Sequence, residues 1–249
     1  MAKKNSVALP ESVAFAPAAG QLFRYRAGMG MMNSAEWYTR MWDFDVPVAT
    51  NLPQGWTAAI IDTGATAVVS TVAGTGATGA ILVASDGTDE GVAIYGDKVI
   101  QLTSGKRFFM EMRAQTSLAA TTDLQFGLTD LTATTNPEDL WTTTAASLVA
   151  FGVLSGSAYP KMLADKSNTG STAETGTIAI SDATYTTLAI YFDGTYLQGF
   201  VDGSPSLLWS QASTTIPTAI ALAPFFGFRT GTSASNTGTI DYLRFASER

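Results

Sequence analysis

Cysteine and histidine are both absent from this chain. Without cysteine there are no disulfides, no thiolate nucleophile and no cysteine-ligated zinc. Without histidine the commonest acid/base group and transition-metal ligand is gone, so a Ser-His-Asp triad and an H-E-x-x-H zinc site are excluded. Charge is scarce as well: Asp, Glu, Lys and Arg make up 14% of the residues, against about 25% in ordinary globular proteins. The 14 basic residues leave a net charge of −7. They are scattered, apart from Lys3, Lys4, Arg24 and Arg26, and give no cluster able to displace counterions from a nucleic-acid backbone. Long apolar runs are missing too. The longest, Ala219 to Phe226, contains Pro224 and falls short of the ~20 residues that cross a bilayer. Pro10 and Glu11 interrupt what would be the core of a signal peptide. The expectation is a soluble protein assembled in the cytoplasm, with no nucleic acid, membrane or cofactor among its partners.

What remains is β-strand signal. A chain of 249 residues can form one all-β domain, and such a domain buries roughly three-quarters of its unfolded surface without a covalent staple. Residues 1–35 hold Pro10, Pro17 and the Gly28-Met-Gly-Met-Met32 stretch and keep no period; they read as an N-terminal arm, either loose or reaching onto a neighbouring subunit. Residues 36–249 read as the folded domain. Within it, runs of 4–8 β-branched or aromatic residues recur about every ten positions. They begin with the alternation from Tyr38 to Phe44 and continue through Trp56–Ile61, Ala67–Val72, Ala80–Ala84, Val92–Tyr95, Lys98–Leu102, Arg107–Ala114, Asp123–Leu128, Leu148–Leu154 and Gly176–Ile180. Thr187–Phe192, Tyr196–Val201, Leu207–Trp209, Ala221–Phe228 and Thr239–Phe245 complete the series. Segments 143–146, 167–175 and 230–237 read as exposed loops. No stretch carries a capped helical pattern, so the fold class is all-β, an antiparallel two-sheet sandwich.

Turn chemistry agrees. Asp86-Gly87, Asp193-Gly194 and Asp202-Gly203 suit the positive φ angles of tight hairpins. The unbroken segment from Thr187 to Gly203 reads as strand, turn, strand, turn.

Candidate sites are few. Glu111 lies between Met110 and Met112 and is expected to pair with Arg107 or Arg113. Glu138 and Asp139 follow Pro137 and point to opposite sides of an extended chain. The loop Ser85-Asp-Gly-Thr-Asp-Glu90 is the best calcium candidate, since Ca²⁺ takes six to eight oxygen ligands, with Asp193 and Asp202 next. Turn formation explains both of those fully. Gly74, Gly76 and Gly79 echo a nucleotide-binding glycine pattern, but no helix follows them. Trp56, Trp141 and Trp209 could stack on sugar rings, or fill a core. No catalytic, cofactor-binding or metal-binding residue is assigned.

Three pieces resemble the concanavalin A-like, or laminin-G-like, jelly roll. They are Gly105-Lys-Arg-Phe-Phe-Met-Glu-Met-Arg113, Asp123-Leu-Gln-Phe-Gly-Leu-Thr-Asp130, and the 187–203 hairpin with Phe225-Phe-Gly-Phe-Arg229 and Ile240-Asp-Tyr-Leu-Arg-Phe245. Trp42-Asp-Phe-Asp45, Gln54-Gly-Trp56, Gly79-Ala-Ile-Leu-Val83 and Tyr95-Gly96 are similar to segments of tailed-bacteriophage virion proteins with this sandwich. The resemblance implies a non-enzymatic cement protein that decorates and stabilises a capsid. It would lie on the virion surface, bind the major capsid protein and form a homo-oligomer. The alternative it implies is a carbohydrate-binding, lectin-like module with a glycan partner. Enzymes of this fold carry paired carboxylates on one strand as E-x-D-x-x-E, a pattern this sequence lacks, so the expectation is that the chain is not an enzyme.

Overall fold

A computed structural model describes residues 37–43, 55–61, 68–71, 81–85, 90–131, 147–167, 172–209, 213–231 and 236–248. The N-terminal arm read from residues 1–35 lies outside them. The described residues form two eight-stranded sheets, and every ladder between named strands is antiparallel.

Sheet A contains β1 (Trp37–Asp43), β3 (Val68–Thr71), β4 (Ile81–Ser85), β7 (Phe108–Thr116), β12 (Thr186–Phe192), β13 (Leu197–Val201), β14 (Ser204–Leu208) and β16 (Asn236–Glu248). Its order is β14-β13-β12-β7-β16-β4-β3, with β1 also on β16. Sheet B contains β2 (Thr57–Ile61), β5 (Gly91–Tyr95), β6 (Ile100–Gln101), β8 (Thr122–Thr129), β9 (Leu148–Val153), β10 (Lys161–Asp165), β11 (Thr172–Thr175) and β15 (Ala221–Thr230). Its order is β11-β10-β9-β8-β15-β5-β2, with β6 also on β15. The all-β sandwich read from the sequence is what the chain forms.

Alternation sorts the side chains. On sheet B the inner face carries a cross-strand row from Ile94 through Phe226, Phe126 and Phe151 to Met162. Sheet A opposes it with Ile190, Met110 and Phe245 in one row and Leu188, Met112 and Leu243 in the next. These residues belong to a single buried cluster. Large side chains paired across strands exclude water from the pleat, and such pairs stabilise a sheet beyond the area they bury.

The hairpins follow their turn residues. Asp202 and Gly203 both have positive φ, 48° and 77°, the mirror-image turn whose twist matches paired strands. In the preceding turn Gly194 (φ 100°) packs on Gly105, where a β-carbon would lie 2.7 Å from the Gly105 Cα. Only glycine fits that approach.

Two expectations differ from the structure. Residues 176–180 form no strand, because their donors go to three separate places: Gly176 N–H to Pro160 O, Thr177 N–H to Ser206 O and Ile180 N–H to Ala158 O. The strand in this region is β11, in what reads as an exposed loop, and it pairs with β10, which the sequence reading missed. Likewise Thr230 ends β15, and Asn236 and Thr237 begin β16.

Candidate functional site

The second face of each sheet is turned away from the main core, and on sheet B it forms a second buried apolar cluster. On sheet A that face holds ion pairs. Glu111 stands directly across from Arg244, with 2.7 Å between Oε1 and Nη2. The Tyr242 hydroxyl donates to the same oxygen at 2.7 Å. Arg107 binds Glu248 through both its Nε and its Nη2, and Arg113 pairs with Asp241. The expected Glu111 partners, Arg107 and Arg113, are therefore taken elsewhere. Residues two or four positions along the same strand, as Arg113 and Arg107 are, lie farther away than the residue facing Glu111 on the next strand.

Glu248 and Tyr191 on this face are shifted from their ordinary pKa values. Hydrogen bonds from Arg107 hold the Glu248 carboxyl below its ordinary range. Burial pushes the Tyr191 hydroxyl up to about 12. A lowered carboxylate stabilises the fold above its unfolded pKa, and that contribution is lost as pH falls through the folded value. A raised phenol stays neutral longer when folded, so its contribution is lost as pH climbs from about 10 towards 12. Tyr191→Phe is expected to flatten the alkaline fall in melting temperature across that interval. Identical alkaline profiles for parent and variant would refute the assignment.

The corresponding face of sheet B is different and buried. Ala59 pairs with Ala93, Ala93 with Gly227, Gly227 with Gln125 and Gln125 with Gly152. These five positions lie side by side on β2, β5, β15, β8 and β9. Alternation places them opposite Val92, Leu124, Phe126 and Phe228 of the core. They form a track of small residues interrupted by one amide. At ~4.8 Å per strand the track runs about 19 Å across the sheet.

One flank of the track carries Tyr95 and Phe225, paired with each other and part of a second apolar cluster. The other carries Arg229, whose Nε donates to Asp123 Oδ2 at 2.8 Å. Asp123 Oδ1 accepts the Ser155 N–H at 2.6 Å, so this flank is charged but internally balanced. Lys161 follows Gly152 in the row.

Gln125 sits in the middle, fully buried. Neither its Nε2 nor its Oε1 has a hydrogen-bond partner. A buried amide without partners costs about 1–3 kcal/mol, so it calls for an explanation. Sequence reading passed over this residue. The available signal was an amide set between Leu124 and Phe126, apolar residues of a buried strand. Its glycine neighbours on β9 and β15 become visible only once register is known. Gly152 has a steric reason of its own, since a β-carbon there would run into the Leu124 carbonyl.

The residues singled out in the sequence do not converge. Trp56 and Trp209 are buried members of the core and offer no stacking platform; Trp141 lies outside the described residues. Asp193 Oδ1 accepts the N–H groups of Thr195 and Tyr196, and Asp202 Oδ1 accepts that of Thr187. Both act as turn residues. Of the 85–90 loop, Asp86 to Asp89 lie outside the described residues, and Glu90 is buried. Gly74, Gly76, Gly79, Glu138 and Asp139 also lie outside them. Among the described residues no three Asp or Glu side chains gather as metal ligands, and no helix is long and apolar enough to cross a membrane.

No family model and no curated protein matches the sequence. Solved structures do match in shape. LamA of Z. galactanivorans, solved with laminaritriose and laminaritetraose, aligns over 84% of this chain and 98% of its own with a TM-score of 0.56 at 12% identity. The β-glucanase of Bacillus licheniformis covers 83% of this chain and 97% of its own, TM-score 0.53, 14% identity. The carbohydrate recognition domain of Emp47p covers 86% and 97%, TM-score 0.52, 10% identity. The likeness is one of fold. It supports the concanavalin A-like sandwich and gives no support to a place on a virion.

It also overturns the expectation that the chain is not an enzyme, because the same fold serves chains described as β-glucanases. The physical reason is plain. Hydrolysis of a glycosidic bond asks for two suitably placed carboxyls, not for histidine or cysteine. Two adjacent strands can supply such a pair as well as one strand can, so the missing E-x-D-x-x-E pattern excludes less than it implied.

Proposed function

We propose that this chain is a carbohydrate-binding, lectin-like module. The observation that carries the reading is the sandwich itself, an antiparallel pair of eight-stranded sheets. Binding sites for small polar ligands combine a mostly apolar lining with a few polar groups that fix orientation. The likeness of fold to a carbohydrate recognition domain and to β-glucanases supports the same ligand class.

Affinity electrophoresis through gels containing laminarin, lichenan, xylan or mannan tests the reading. Retarded migration on at least one of these polymers is expected. Unchanged migration on all of them, repeated on a broad glycan array, would sink it. A reducing-end assay on the retarding polymer then separates holding from cutting, and released reducing ends would add hydrolysis to binding.

A further inference from the structure

We propose that the N-terminal arm, residues 1–35, folds back on its own domain and covers the outer face of sheet A. The proposal is independent of the carbohydrate-binding reading above.

That face is closed, although an antiparallel sheet commonly leaves its second face to water. One row across it runs Ala246, Phe109, Tyr191, Gln198 and Leu208, on β16, β7, β12, β13 and β14. The next row runs Arg244, Glu111, Ala189, Phe200 and Pro205 on the same strands. Ala246, Phe109 and Phe200 are fully buried, and Tyr191, Ala189 and Glu111 nearly so. Alternation turns them away from Phe108, Met110, Ile190 and Leu197 of the core. Phe109, Tyr191 and Phe200 belong to neither apolar cluster, so the sandwich interior does not account for their burial.

The burial is graded, and the gradient has a direction. Both rows are closed from β16 to β13 and open at β14, where Leu208 is 62% exposed and Pro205 is exposed as well. A cover that enters from the β16 side and stops short of β14 gives this pattern. Strand β1 lies on that side, and its first residue, Trp37, faces Glu248, two positions from Ala246. The arm therefore joins the sheet beside the row that has to be covered.

Length chooses between the two stretches that flank β1. Residues 44–54 have to end at Gly55, just before β2 of the other sheet, a layer about 10 Å away. Crossing from β1 to β13 and back takes about 38 Å before that step, and eleven residues extend to roughly 40 Å at most. The arm has no return to make, and its length crosses the face several times over.

Composition fits the same place. The arm brings Leu22, Phe23, Tyr25, Met29, Met31 and Met32, and methionine adapts to an irregular apolar surface. Lys3, Lys4, Arg24 and Arg26 against Glu11 give it +3, which leaves −10 on residues 36–249 out of the total of −7. Opposite charge draws the arm towards the domain, within a Debye length of about 10 Å at 0.1 M salt.

The chain has no cysteine, so one introduced thiol carries one nitroxide label at a known place. Leu208→Cys puts the label at the open end of the first row. Ile60→Cys, at a position 54% exposed on β2, puts it on the other sheet. Each full-length, isotope-labelled chain is read by nuclear magnetic resonance. With the label at position 208, amide signals of residues 22–32 are expected to lose most of their intensity and to regain it when the nitroxide is reduced. With the label at position 60 they should keep it. Leu22→Ser combined with Phe23→Ser should restore the signals in the chain labelled at 208. It should also lower the melting temperature, since Phe109 and Phe200 lose their cover.

Arm signals left at full intensity by the label at 208, or lost equally with the label at 60, would overturn the proposal. So would a serine variant that melts like the parent. Signal loss in a mixture where one copy carries the nitroxide and another the isotope would assign the cover to a second copy, and would overturn it as well.

Discussion

Glu111→Ala is expected to destabilise the protein by about 3–5 kcal/mol, because it strands the Arg244 guanidinium in a buried position without its countercharge. The side chains of Arg244 and Glu111 are only 11% and 5% exposed, so water cannot take over the missing role. The Tyr242 hydroxyl loses its acceptor in the same step. The double variant Glu111→Met with Arg244→Leu should recover most of the loss, since a buried ion pair is often matched by apolar residues of similar volume. Chemical denaturation of the two singles and the double gives the coupling directly. If the single variant shifts the midpoint no more than a surface substitution does, the pair is not buried in solution as it is here.

The second large effect is expected at Phe126. It is fully buried and stands between Phe226 on β15 and Phe151 on β9, at the centre of the inner row of sheet B. Phe126→Ala removes the ring and leaves a cavity with walls on two fixed strands, a loss of about 3–5 kcal/mol. For a chain of this size that corresponds to roughly 6–20 °C in melting temperature. Phe126→Leu, which keeps most of the volume, should lose well under half as much. Equal losses for the two would mean that the ring's packing does not set the stability.

These two positions also show how far the sequence could be read. Phe126 announces itself as core, an aromatic in an alternating run bounded by turn residues. The Asp193-Gly194 and Asp202-Gly203 hairpins likewise state their own geometry, because the special φ angles belong to the residues that adopt them. Strand β10 does not. Its Lys-Met-Leu-Ala-Asp composition is as helical as it is extended, and only pairing with β9 and β11 holds it out straight. The candidate site was less legible still. Glu111 reads as a strand-face acid, but its partner Arg244 is chosen by the register of β7 against β16. Gln125 acquires its meaning from glycines on two other strands. Local chemistry sets elements and turns; cross-strand neighbours are a property of topology.

That topology has one more consequence. Strand β16 is the long central member of sheet A: β7 runs along one side of it, while β4 and then β1 share the other. Until residues 236–248 are in place, three strands from separate stretches of the chain each face a vacant row of backbone donors and acceptors. A nascent or clipped molecule lacking that stretch would expose adhesive borders that other copies can zip onto. Intact protein, synthesised slowly enough or with a holdase at hand, should then be recovered in far better yield than any version shortened from its carboxyl side.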